Sequence, residues 1–170
     1  MPARSITIIT TGGTIEKTYD EASGLLLNRG SILREMLGRL RLEDAAVSVV
    51  DLLSKDSLHM TDEDRARILD ATRAALASSS TSGVVILHGT DTLCTTGELL
   101  HANLQPTVPV ILTGAMRPYE MTRSDALQNL TEALFGTGVL APGVYCIAHG
   151  RALRFPGVVK DKIRGTFLPA

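Results

Sequence analysis

The sequence predicts an α/β protein: an open, mostly parallel sheet with helices on both faces. Three observations carry this expectation. Five strand-like runs are almost continuously apolar, as suits strands covered on both sides. The segments between them hold apolar residues at helical spacing. Strand-like and helical segments also alternate along the chain, the order of crossover connections that return each strand parallel to its neighbours.

The elements follow in order. "SITIIT" (5–10) is the first strand, after which Ile32, Leu33, Met36, Leu37 and Leu40 share one helical face. "AVSVVDLL" (46–53) is the second strand. "TDEDRARILDATRAAL" (61–76) opens on a capping threonine, and the acids in its first turn complement the helix dipole. "SSSTSG" (78–83) has a linker's composition, but between a helix and a strand it reads as a turn. "GVVILH" (83–88), "VPVILTG" (108–114) and "GVYCIAH" (143–149) are the remaining strands. Helices fill "DTLCTTGELLHANL" (91–104) and "SDALQNLTEALFG" (124–136), the latter with Gly136 as its C-cap. The closing "KDKIRGTFLPA" suggests no further element, and residues 1–170 are expected to form one domain.

Length and composition narrow the function. A chain of 170 residues buries a core without staples. Its 44% hydrophobic and 21% charged residues suit a soluble globular protein. The net charge of −1 supplies no field for nucleic acid or an anionic membrane, the one modest basic group being Arg151, Arg154, Lys160, Lys162 and Arg164. No apolar run approaches the roughly 20 residues of a membrane helix. Cys94 and Cys146 form no CxxC and read as core residues, and the histidines lack metal-ligand spacing, so neither a disulfide framework nor a metal is expected. The start "MPARSITIITTGG" lacks a secretory pattern, so a cytoplasmic setting is expected.

In open α/β sheets ligands bind beyond the carboxyl ends of the strands. The residues there are rich in hydroxyls, acids and glycines: Thr11-Gly12-Gly13-Thr14, then "SKDSLHMTDED", His88-Gly89-Thr90-Asp91-Thr92 and Gly114-Ala115-Met116-Arg117-Pro118. Gly12 and Gly13 let the backbone take positive φ and approach a ligand closely. No G-x-G-x-x-G or phosphate-loop pattern is present, which argues against a nucleotide binder. Taken alone, Thr14 also fits a satisfied turn hydroxyl, and Thr90 and Asp91 fit helix caps. An acid beside a threonine hydroxyl can equally activate it, and a lysine, Lys160 or Lys162, would complete a Thr–Lys–Asp relay. His88 ends an apolar run and reads as a buried, hydrogen-bonded histidine.

Four motifs in order, "TTGGTI" (10–15), "HGTDT" (88–92), "VILTGAMRP" (110–118) and "SDALQNL" (124–130), resemble the bacterial-type L-asparaginase family, and "DSLHMTDED" (56–64) is similar to that family's substrate-binding loop. The resemblance runs from residue 5 to about 165. It implies a flavodoxin-like asparaginase N-terminal fold and hydrolysis of L-asparagine to aspartate and ammonia, without metal or cofactor. It implies Thr14 as nucleophile, Tyr19 on the loop after the first strand as its proton partner, and Thr90, Asp91 and Lys160 as the second catalytic group. Ser57 would hold the substrate's α-carboxylate, and Asp91 would meet its α-amino group. The Ala115 carbonyl would touch the amide, with Gly13, Asp56 and Gly89 lining the substrate. The paired glycines would leave room for that substrate.

Three departures from the family stand out. Its members usually carry a second, C-terminal domain that reaches into a neighbouring subunit's site, so this chain is expected to be a short form. A homo-oligomer, at least a dimer, would then cover the open edge. Tyr19 lies closer to Thr14 than the family's catalytic tyrosine, and Leu58 stands where many members carry a polar residue, which implies a higher KM. Rival functions are a glutaminase or other amidase, and an amino-acid-binding module or amidotransferase subunit that does no chemistry of its own.

Overall fold

The computed structural model describes residues 3–170. The chain runs β1 (Arg4–Gly12), β2 (Thr18–Asp20), β3 (Leu25–Leu27), α1 (Leu33–Gly38), β4 (Ala45–Lys55), α2 (Asp62–Leu76), β5 (Thr81–Leu87), α3 (Leu93–Asn103), β6 (Pro109–Thr113), α4 (Ala126–Val139), β7 (Gly143–Ala148), β8 (Arg151–Arg154), β9 (Val158–Asp161) and β10 (Thr166–Pro169). The main sheet has the order β4-β1-β5-β6-β7-β8. Its first five strands pair in parallel and β8 returns antiparallel on β7. Numbered among themselves in chain order, the parallel strands stand 2-1-3-4-5, the flavodoxin-like arrangement. The expected α/β class is therefore the observed one.

Strand periodicity divides the core in two. Ile9, Val84, Ile86, Val110 and Leu112 face one side, where Ile68 and Leu69 of α2 and Leu93 and Leu100 of α3 cover them. Ile6, Ile8, Val85, Leu87 and Ile111 face the other, under Leu33 and Met36 of α1 and Leu130, Ala133 and Leu134 of α4. The steps β5–β6 and β6–β7 advance in the same direction across the sheet, yet their helices α3 and α4 lie on opposite faces. The β6–α4–β7 crossover thus has the opposite hand to the other connections between parallel strands, a departure from the usual right-handed rule.

Local signals behave as their chemistry demands at α2, where Thr61 and Asp64 form a reciprocal capping box. Four expectations need correction. The second strand is an edge strand: β4 is half exposed along much of its length, because no strand among the described residues pairs beyond it. Gly136 does not cap α4; the helix continues to Val139. A Cβ at Gly136 would lie 2.5 Å from Ile147 Cδ1, so the glycine lets α4 settle onto the sheet. The segment from Lys160 onward does form structure, since β9 and β10 pair as an antiparallel hairpin that buries Val158 and Phe167 in the core. The loop after β1 is also ordered, as the β2–β3 hairpin.

Candidate active site

At the β1/β5 boundary the sheet changes sides: the helix after β1 lies on one face and the helix after β5 on the other. This switch point is where an open α/β sheet leaves a crevice. Thr14 leaves β1 there and Thr90 leaves β5.

The turn before Thr14 needs two glycines for a reason other than ligand access. Gly12 and Gly13 have φ of 94° and 80°. A Cβ on Gly12 would lie 2.4 Å from Lys55 N, and one on Gly13 would lie 2.4 Å from Gly89 Cα. A Cβ on Gly89 would in turn lie 2.5 Å from Ser57 Oγ. On the side where a side chain would stand, both glycines are met by neighbouring backbone. The glycines let three loops close on one another, and Thr14 and Thr90 are the residues that follow the abutting Gly13 and Gly89.

The turn is further held by Gly13 N–H donating to Lys55 O at 2.8 Å and by Asn28 Nδ2 donating to Gly13 O at 2.9 Å. Thr14 is partly exposed, and among the described residues its hydroxyl makes no hydrogen bond. Thr90 is buried at 5% exposure, and Lys160 Nζ donates to its hydroxyl and to Asp91 Oδ1, each at 2.7 Å. Lys160 reaches them from β9, while Lys162 lies exposed beyond that strand, so the choice left open by spacing falls on Lys160.

The other expected residues divide. Asp56 caps the short turn Ser57–His59 through Leu58 N–H at 3.0 Å and pairs with Lys17 at 2.6 Å. Partial burial pushes the Asp56 carboxyl up, but the Lys17 ammonium and the Leu58 N–H outweigh it and hold the group below its usual range. Ser57 is fully buried, with Thr92 N–H 3.3 Å from its hydroxyl and the Thr92 hydroxyl donating to its carbonyl at 3.0 Å. Its oxygen therefore faces the Gly89–Thr92 loop, with no open side in this conformation. Ala115 is buried in a loop fixed by Asp125, which accepts from the N–H groups of Met116 and Arg117 at 3.0 Å.

Tyr19 is not brought to Thr14. It pairs with Leu26 in the β2–β3 hairpin, its hydroxyl lies over Gly24, and it is 58% exposed. Its N–H donates to Glu120 Oε2 at 2.7 Å. Between this hairpin and Asp56 opens a cleft of about 460 Å³ lined by Lys17, Leu26, Asn28, Lys55, Asp56 and His59. A cleft of about 510 Å³ bounded by Arg39, Tyr119 and Arg123 contains none of the catalytic candidates.

His88 is the buried, satisfied histidine that its apolar run implied. Its Nδ1–H donates to Gly89 O at 2.8 Å and its Nε2 accepts from the Thr96 hydroxyl at 2.8 Å. Burial lowers its pKa to about 4, so it stays neutral. Motif inspection passed over two groups. His149 Nε2 donates to Asp125 Oδ2 at 2.7 Å and its Nδ1 meets the Thr166 hydroxyl at 2.9 Å, tying the Ala115 loop to the hairpin that bears Lys160. Glu16 lies buried beneath the Thr14 turn; an acid directly after the apolar Ile15 was the one signal for it.

These features define an open α/β domain with a hydroxyl-rich site at its topological switch point. The chain belongs to the asparaginase family: the family model described as "Asparaginase, N-terminal" matches residues 5–165. It is 34% identical over 139 residues to an L-asparaginase of Thermococcus kodakarensis, covering 81% of this chain and 42% of that one. It is 28% identical over 153 residues to a glutamyl-tRNA(Gln) amidotransferase subunit of Methanococcus vannielii, covering 86% and 34%. The solved thermostable L-asparaginase of Thermococcus kodakarensis superposes with a TM-score of 0.86 at 30% identity, over 97% of this chain and 51% of that one. The chain thus spans about half the length or less of these relatives. Among the described residues, no helix is long and apolar enough to cross a membrane.

Proposed function

We propose that this chain is an amidohydrolase domain that converts L-asparagine to L-aspartate and ammonia. The observation that carries the proposal is the junction of Gly13 with Gly89. It brings together the backbones that lead into Thr14, whose hydroxyl makes no hydrogen bond among the described residues, and into Thr90, whose hydroxyl accepts from Lys160, itself paired with Asp91.

The Thr14 hydroxyl attacks the side-chain amide carbon, and its proton passes to the departing nitrogen, which leaves as ammonia. An acyl-threonine ester remains. Water attacks the ester, releasing aspartate and returning the proton to Thr14. Lys160 donates to the Thr90 oxygen, which leaves the Thr90 proton free to point at the substrate oxyanion, a type of contact worth about 3–4 kcal/mol. Asp91 meets the α-amino group. Tyr19 orients the Thr14 proton once the β2–β3 hairpin folds over the turn. Ser57 reaches the α-carboxylate only if the Gly89–Thr92 loop rearranges, and the exposed Leu58 adds no polar contact, so KM is expected in the millimolar range. The proposal requires no metal, cofactor, nucleic acid or membrane. A cytoplasmic homo-oligomer would cover the open edge.

The similarity to a protein named as part of an amidotransferase favours a second reading, in which the domain works on its amide within a larger assembly. Glutamine is a further candidate substrate, since one methylene changes pocket fit by only ~1–3 kcal/mol.

Ammonia release from asparagine and glutamine by the purified chain tests both readings. Release that drops ~10³-fold or more in Thr14→Ala supports the hydrolase. A folded chain that releases none from either amide favours the assembly reading.

A further inference from the structure

The Glu16 side chain turns back beneath the Gly12–Thr14 turn instead of into solvent, and the residue is 1% exposed. Its Oε2 accepts from Gly12 N–H at 2.9 Å, while its Oε1 is buried without a hydrogen-bond partner among the described residues. The Ser31 hydroxyl, ahead of α1, lies close to the carboxyl without completing a bond to Oε1. The charged group facing it is Asp51 of β4, whose Oδ1 is held by the Thr10 hydroxyl at 3.2 Å. The nearby cations are engaged elsewhere, Lys17 with Asp56 and Lys55 with Asp64. A carboxylate here would sit buried, half-unpaired and beside a second acid. Burial first, and Asp51 after it, outweigh Ser31 and the Gly12 N–H and raise Glu16 to about 7.

We propose that Glu16 is a positioning residue: its uncharged carboxyl clasps Gly12 N–H and holds the turn that presents the Thr14 hydroxyl. The inference rests on the reading of Thr14 as nucleophile. Deprotonation strengthens the Gly12 bond itself but strands a buried charge against Asp51, and turning the carboxylate out toward water relieves that charge and releases the clasp, which couples the shape of the turn to pH in the neutral range. Gln at this position keeps the acceptor oxygen and cannot ionise. Ala removes the acceptor and leaves the Gly12 N–H unpaired.

Two measurements on the full chain between pH 6 and 8 test it: kcat with asparagine, and amide exchange of Gly12, Gly13 and Thr14 corrected for intrinsic rates. In the wild type both kcat and protection are expected to fall at least fivefold around a common midpoint near pH 7. Glu16→Gln should show neither fall, with KM within about twofold of wild type, and Glu16→Ala should lack the protection throughout this pH range. Protection that is flat with pH in the wild type, or that falls equally in Glu16→Gln, overturns the proposal. Should the wild type release no ammonia at any pH, the hydrolase reading fails while amide exchange still judges Glu16. Should Glu16→Gln not fold, the wild-type exchange midpoint decides alone.

Discussion

Lys160 Nζ stands 2.7 Å from the Thr90 hydroxyl and 2.7 Å from Asp91 Oδ1, so one ammonium joins the β9–β10 hairpin to the loop after β5. The same hairpin is pinned from its second strand by Thr166, through His149, to Asp125. The lysine is therefore held from two sides, as a group with a fixed target would be.

If that contact serves the chemistry, Lys160→Met should lower kcat with asparagine by ~10²-fold or more, the scale of a lost acid–base partner. Lys162→Met, two residues on and exposed, should leave turnover within about twofold. Steady-state ammonia release from the two variants makes the comparison, and equal losses would remove Lys160 from its assigned place.

Tyr19 poses the opposite case, a side chain that must move before it can act. Tyr19→Phe is expected to lower kcat by ~10²-fold with little change in KM, since only the hydroxyl is lost. Unchanged kcat would leave the β2–β3 hairpin as a cover without a chemical group.

Packing predicts a variant that destabilises without touching the site. A Cβ at Gly97 on α3 would lie 2.0 Å from Phe155 Cζ, and Phe155 is fully buried with nowhere to retreat. Gly97→Ala is expected to lower the unfolding free energy by about 3 kcal/mol, an overpacking loss read from urea denaturation.

The buried acids set the pH profile of stability. Glu16 binds its proton more tightly folded than unfolded, so its contribution is complete below about 4.5 and disappears as pH rises to about 7. The loss amounts to about 3 kcal/mol. Asp56 and Asp125 have lowered values, and their contributions act the other way, present above the usual carboxylate range and lost as pH falls below it. Burial raises Asp125, but the Met116 N–H, His149 and the Arg117 N–H together outweigh it. Stability should therefore peak at about pH 4, and in Glu16→Gln the decline toward pH 7 should shrink by about 3 kcal/mol. Urea denaturation across roughly pH 2 to 8 measures both limbs, and an unchanged decline in the variant would assign it to other groups.

Much of this was legible in the chain itself. Alternating apolar segments announced the α/β class because the periods of strand and helix are local properties. The capping box at Thr61 involves partners only three residues apart, and the motifs around Thr14, Thr90 and Asp91 mark the carboxyl edge without any coordinates. Contacts between distant segments were not legible. Periodicity does not say that Gly13 is glycine because Gly89 lies against it, nor that Lys160 and not Lys162 turns inward. It missed the edge position of β4, the reversed hand at α4 and the Asp125–His149–Thr166 tie. Glu16 makes the difference plain. As a letter it is one acid among 18 acidic residues, and its unusual proton affinity arises only when folding buries it beneath the Gly12–Thr14 turn beside Asp51.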